Sequence, residues 1–131
     1  MKVILDTNFL MIPGKFHVDI FEELKKLINV PYEIVVFEGT IEELKKLSSG
    51  NGNDKVLASV ALELIKQKNL KTLKNSSKIV DVVDDMIVAE VQKNPKDYTV
   101  CTQDKALKQR IRELKARIIT LKSEKHLDYE V

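Results

Sequence analysis

Val3-Ile4-Leu5-Asp6-Thr7-Asn8, residues 3–8, is the stretch on which the reading of this chain turns. The apolar run has the composition of a short buried strand, and it ends directly on an ionisable carboxylate. A charge inside a fold is costly unless something pairs with it. One explanation is local: Asp, Thr and Asn all favour turns and helix N-caps, so Asp6 can cap the segment that follows. The other is that Asp6 ends a strand at a site, and the rest of the chain has to decide between the two.

Working outward, residues 17–29 (HVDIFEELKKLIN) place Ile20, Phe21, Leu24, Leu27 and Ile28 at helical spacing, and Pro31 bars continuation. Residues 33–37 (EIVVF) read as a second buried strand. Thr40 is expected to cap a short helix with Ile41, Leu44 and Leu47 on one face. After the turn-rich residues 48–54, Asn53 or Asp54 starts a longer helix whose apolar stripe is Val56, Leu57, Val60, Ala61 and Leu64. Residues 70–73 (LKTL) and 78–83 (KIVDVV) each suit a short strand. Asp84-Asp85 then opens a helix that turns Ile87, Val88 and Val91 inward. Residues 98–102 (YTVCT) form another strand and 104–115 (DKALKQRIRELK) a helix with Leu107, Ile111 and Leu114 inward; 117–121 (RIITL) is the last strand. Alternating strands and helices predict an α/β fold, a three-layer α/β/α sandwich with a mostly parallel central sheet.

A chain of 131 residues is expected to form a single domain, residues 1–131, without disulfides or structural metal. Its one cysteine, Cys101, lies in an apolar run and suits a packed thiol in a reducing, cytoplasmic setting. No apolar run approaches a membrane span, and the short one at the start is too brief for a signal peptide. The net charge of +2 excludes nothing, but its distribution is uneven. Residues 105–125 carry eight Lys or Arg against two Glu, whereas the N-terminal third is acid-rich. That asymmetry suits a protein that holds cations in one place and phosphates in another.

In open α/β sheets, ligands bind beyond the C-terminal ends of the strands. Asp6 ends the first strand, Glu43 lies on the helix after the second, Asp84 and Asp85 open a later helix, and Asp104 follows the strand of residues 98–102. Each is explicable singly: Asp84, Asp85 and Asp104 as first-turn or capping acids, and Glu42 and Glu43 as surface partners of Lys46. The ordered set exceeds what capping predicts. A haloacid-dehalogenase-type phosphatase needs a second acid two residues after its nucleophilic Asp, and Asn8 stands there. A response-regulator receiver needs a phospho-accepting Asp after a central strand, and none stands out.

The segments LDTNFL, EGTIEELKKL, VDDMIVAEV and VCTQDKALKQRI together resemble the PIN-domain ribonucleases over nearly the whole chain. The resemblance is to both the archaeal and eukaryotic rRNA-processing branch and the VapC toxin-like branch, closer to the former. It implies that Asp6, Glu43, Asp85 and Asp104 are the catalytic, metal-binding acids. Asp85 is chosen because it directly precedes Met86-Ile87-Val88, which leaves Asp84 as cap or support; Asn8 and Thr102 are auxiliary polar residues.

Acids gathered in one cleft raise each other's pKa, and a divalent cation relieves the repulsion. Oxygen ligands favour Mg²⁺ or Mn²⁺, and two histidines with one cysteine argue against zinc. The expected activity is metal-dependent endoribonuclease cleavage leaving 5′-phosphate and 3′-hydroxyl ends, in rRNA processing or as the toxin of a toxin-antitoxin pair. The alternative is a non-catalytic PIN-type module that binds RNA or the ribosome. Lys105, Lys108 and Arg112, on one face of the last helix with Lys115, are the expected RNA-binding residues. Expected partners are RNA, an antitoxin or a ribosomal precursor, and a second copy of the chain.

Overall fold

Residues 1–74 and 82–130, which the computed structural model describes, alternate strands with helices. The order is β1 (Lys2–Leu5), α1 (Thr7–Leu10), α2 (Ile12–Phe16), α3 (Ile20–Leu27), β2 (Glu33–Phe37), α4 (Glu38–Ser48), α5 (Asn53–Gln67) and β3 (Lys71–Leu73). It continues with α6 (Val83–Lys93), a 3-10 turn (Pro95–Asp97), β4 (Tyr98–Cys101), α7 (Lys105–Glu113), β5 (Arg117–Lys122) and β6 (His126–Tyr129). The strands form one sheet in the order β3-β2-β1-β4-β5-β6, parallel except for the antiparallel β5–β6 pair.

Side chains alternate across a strand, and here the alternation sorts the apolar residues into two cores. Val3, Leu5, Val36, Cys101 and Ile119 face one side, where they meet Phe9, Ile20, Leu24, Leu44 and Ala61 from α1, α3, α4 and α5. Ile4, Val35, Phe37, Val100 and Ile118 face the other, against Met86, Ile87, Val91, Leu107 and Ile111 from α6 and α7. Both faces of the sheet are covered, which gives the three-layer arrangement and accounts for strands that are apolar throughout.

The five expected helices form, as α3 to α7, but not every one shows the expected face; the short α1 and α2 that follow β1 are additions. The buried stripe of α5 is Ala58, Ala61 and Ile65, while Val56 and Val60 are exposed. That helix packs chiefly on α4 and α2, with small residues Ala58 and Ala61 on its inner side. Gly14 belongs to the same packing: a Cβ there would stand 3.0 Å from the Leu57 side chain. Thr40 is no cap, because β2 runs straight into α4 through Phe37 and leaves Thr40 fully buried within the helix. Lys115 lies beyond the end of α7, in a left-handed conformation.

Strand β6 is an addition to the expected set. Its turn has Ser123 and Glu124 both at positive φ, closed by the Lys125 N–H donating to the Lys122 carbonyl at 3.1 Å. The geometry is that of a hairpin turn, made without the Asn-Gly or Asp-Gly that would announce one. Of the candidate strand at 78–83, residues up to 81 lie outside those described, and Val83 is the first residue of α6. Among the described residues no helix is long and apolar enough to cross a membrane.

Candidate active site

The chain leaves β1 toward β2 and β3, then returns to place β4 on the other side of β1, so the strand order reverses at the β1–β4 pair. Crevices form beyond the C-terminal ends of strands at such a reversal. Leu5 pairs with Cys101 at the end of that ladder, and the Asp6 N–H donates to the Cys101 carbonyl at 3.2 Å. The next residues on each strand, Asp6 and Thr102, therefore emerge side by side.

Asp6 caps α1 and also borders the crevice, so the two explanations of this residue are not exclusive. Its Oδ1 accepts from the Phe9 N–H at 2.7 Å, and its Oδ2 accepts from the Thr102 hydroxyl. The residue is 4% exposed. Burial raises its pKa from 3.8 to about 6, the two hydrogen bonds working against that rise and the negative charges of Asp84 and Asp104 adding to it. Thr102 also accepts from the Asp104 N–H at 3.0 Å, and Asp104 caps α7 by accepting from the Leu107 N–H at 2.8 Å. One threonine thus ties together the backbone or side chains of two acids.

A cleft of about 370 Å³ opens above these groups, lined by Asp6, Thr7, Asn8, Glu43, Val82, Val83, Asp84 and Asp104. Glu43 enters from α4, and Asp84 from the first turn of α6. The pKa of Asp84 is also raised, first by burial and then by repulsion from Asp104, with Arg110 acting in the opposite direction. Helices α1, α6 and α7 all begin at this cleft, and their N-termini favour the carboxylates and any further anion brought among them.

Asp85 is not among the cleft residues. One position further along an α-helix turns a side chain by about 100°, and the Asp85 carboxylate meets the Arg110 guanidinium, Nη1 to Oδ1 at 2.6 Å. Glu43, Asp104 and Asn8 stand in the cleft as the sequence reading placed them, and Thr102 lies under its floor. On α7, Lys105 is exposed beside Asp104. Lys108 is paired instead with Glu130 at 2.8 Å, and Arg112 lies 4.0 Å from the same carboxylate. Thr7 and the apolar rim of Val82 and Val83 were missed as cleft residues; position two of the Asp-Thr-Asn triplet was the only available signal for the first.

Among the described residues, no three His, Cys, Asp or Glu side chains form a ready-made metal cage. The cleft does fit a hydrated hard cation, which needs only one or two direct carboxylates and keeps several of its waters. Its ionisable donors are all carboxylates, two of them with pKa raised by burial and crowding. The Thr7 hydroxyl in the same wall is buried with no hydrogen-bond partner among the described residues.

Residues 3–124 match the profile of the PIN like domain. Ribonuclease VapC4 of Methanocaldococcus jannaschii is 27% identical over 128 residues, covering 97% of this chain and 95% of that protein. The rRNA-processing protein fcf1 of Schizosaccharomyces pombe is 32% identical over 112 residues, 86% of this chain and 54% of that protein, so the match spans about half of fcf1. Among solved structures, the PIN domain endonuclease Utp24 superposes with a TM-score of 0.82 at 28% identity, over 98% of this chain and 90% of that one. The strand order, the acids at the strand ends and a profile match across nearly the whole sequence agree: this chain belongs to the PIN-like domain family.

Proposed function

We propose that the cleft is the catalytic centre of a divalent-metal-dependent endoribonuclease that hydrolyses RNA to 5′-phosphate and 3′-hydroxyl ends. The observation that carries the reading is the meeting of Asp6, Asp84 and Asp104 in one crevice, where burial first and the neighbouring acids second raise the pKa of Asp6 and Asp84. Such a site is poised for a cation and, through it, for phosphate. The relatives' descriptions, a ribonuclease, an rRNA-processing protein and a PIN domain endonuclease, favour RNA as the substrate and a ribosomal precursor as its source.

Asp6, Asp84 and Asp104 would hold Mg²⁺ or Mn²⁺, with Asp84 in the part that the resemblance gave Asp85. The bound cation supplies Lewis-acid stabilisation of the phosphate and a more acidic water. The protein supplies the rest. The Phe9 N–H and Thr102 hydroxyl fix the Asp6 carboxylate in one orientation. Glu43, exposed in the cleft lining, would accept the proton of the attacking water. Asn8, two residues after Asp6 and exposed in the cleft lining, can donate to a non-bridging phosphate oxygen. Water as the nucleophile leaves the 2′-hydroxyl intact, hence the expected product ends.

The test is incubation of the protein with single-stranded RNA and Mn²⁺ or Mg²⁺, with and without chelator, and end-group analysis of the products. Cleavage that persists undiminished in chelator, or products ending in 2′,3′-cyclic phosphate, would overturn the proposal. Binding without cleavage in every metal would leave a PIN-type RNA-binding module.

A further inference from the structure

The three arginines of the chain are Arg110, Arg112 and Arg117, and their surroundings differ. Arg112 leans toward Glu130, and Arg117 starts β5 with its guanidinium 3.7 Å from the Met1 sulfur. Arg110 crosses the seam between α7 and α6 to reach Asp85, the residue beside Asp84 of the cleft. Both members of the pair are near half exposed, at 43% and 45%. An exposed ion pair of this kind contributes about 0–1 kcal/mol to folding, so stability alone gives little reason for it.

Geometry supplies another. A guanidinium carries five N–H donors in a fixed fork, and the contact with Asp85 engages one terminal nitrogen. Asp85 thereby holds a long, rotamer-rich side chain beside the cleft before any ligand arrives, which lowers the entropy lost on binding. The charge of Arg110 is felt by Asp84, as its effect on that carboxyl shows. A guanidinium held next to the helix that supplies Asp84 cannot ligate a metal and suits an anion bound beside it.

We infer that Arg110, steered by Asp85, is a phosphate-binding residue that grips the RNA backbone beside the phosphate lying over the acids. The inference rests on the reading of the cleft as an RNA-cleaving site. A planar, bidentate fork is suited to two phosphate oxygens, whereas a lysine at the same place would give a single point charge.

The experiment measures binding of a fluorescein-labelled single-stranded RNA in chelator across a salt series, and separately steady-state cleavage with Mn²⁺. For Arg110→Ala, affinity is expected to fall about tenfold and the slope of log K against log salt to shrink by about one. KM should rise by a similar factor with kcat much less affected. Arg110→Lys should restore most of the salt slope and only part of the affinity, and Asp85→Asn should weaken binding less than Arg110→Ala while leaving the slope unchanged. Wild-type affinity and slope in Arg110→Ala would overturn the inference. So would a loss confined to kcat, which would mean that Arg110 acts on Asp84 rather than on RNA. Melting temperatures of the three variants close to wild type separate these results from misfolding. If wild type itself neither binds nor cuts RNA, the underlying proposal for the cleft fails; if wild type does both and Arg110→Ala matches it, only this inference does.

Discussion

The Thr102 hydroxyl donates to the Asp6 carboxylate while accepting the N–H of Asp104, so the ends of two parallel strands are fastened by a single side chain. Hydrogen bonds to an ionised carboxylate favour the charged form. Thr102→Val keeps the shape and removes the donor. The pKa of Asp6 should then rise above its wild-type value of about 6, and the acid limb of the pH–rate profile should move to higher pH. Loss of a bond to a charged group should also cost about 1.5–3 kcal/mol at neutral pH. A chemical denaturation curve and a pH–rate profile check the two effects independently. An unchanged acid limb would show that Asp6 does not control the rate.

Asp6 itself should make the metal-free protein less stable as pH rises. Its folded pKa of about 6 exceeds the ordinary 3.8, so between these values the folded state binds more protons than the unfolded state. Stability therefore falls as pH increases through that window and levels off above it, by about 3 kcal/mol at most. Asp6→Asn should remove this dependence and melt at or above the wild-type temperature at pH 7–8. The same variant should gain less from added Mn²⁺ and lose cleavage. Equal metal-induced shifts with cleavage intact would reduce Asp6 to a helix cap.

Proton competition gives a further expectation for the wild type. A cation bound by Asp6 must displace its proton, so the apparent affinity for Mn²⁺ should weaken as pH falls below about 6, by up to tenfold per pH unit. Titration of the melting temperature with Mn²⁺ at several pH values measures this. A metal response that is flat from pH 5 to 8 would place the cation away from Asp6.

Asp84→Asn and Asp85→Asn, adjacent on one helix, should behave differently. Asp84 borders the cleft and Asp85 holds Arg110. If Asp84 holds the metal as proposed, Asp84→Asn should lower kcat by at least about a hundredfold at little cost in stability. Asp85→Asn should retain most of kcat. The reverse order, measured at saturating RNA, would restore Asp85 to the central position.

Lys108 should contribute less to RNA binding than its neighbour Lys105. The Lys108 ammonium is 2.8 Å from Glu130, and that contact holds the Glu130 carboxyl below its ordinary pKa. Lys105→Ala should weaken RNA affinity more than Lys108→Ala, and Glu130→Gln should strengthen it by releasing Lys108 and Arg112. Affinities at two salt concentrations decide this; tighter dependence on Lys108 than on Lys105 would run the RNA along the other side of α7.

What could be read from the sequence was whatever depends on local pattern. The strand ending on Asp6, the helix after Asp19 and the strand containing Cys101 are each set by a period or a break within a few residues. Features set by distant partners were hidden. The choice between Asp84 and Asp85 depends on a guanidinium 25 residues away. The fate of Lys108 depends on Glu130, and the rotated face of α5 depends on packing against α4 and α2. Strand β6 escaped because Ser123 and Glu124 adopt backbone angles for which neither has a strong preference.

The hydrogen bond from Thr102 to Asp6 joins residues 96 positions apart, and the cleft also needs Glu43 and Asp84 from the intervening chain. No contiguous segment shorter than residues 6–104 carries the site. If the cleft cuts RNA as proposed, a polypeptide still emerging from the ribosome, with Asp104 not yet released, is unable to cut the RNA around it, however much of its N-terminal half has collapsed. Under that reading the chemistry waits until the strands carrying Asp6 and Asp104 have docked, so folding itself serves as the safety catch.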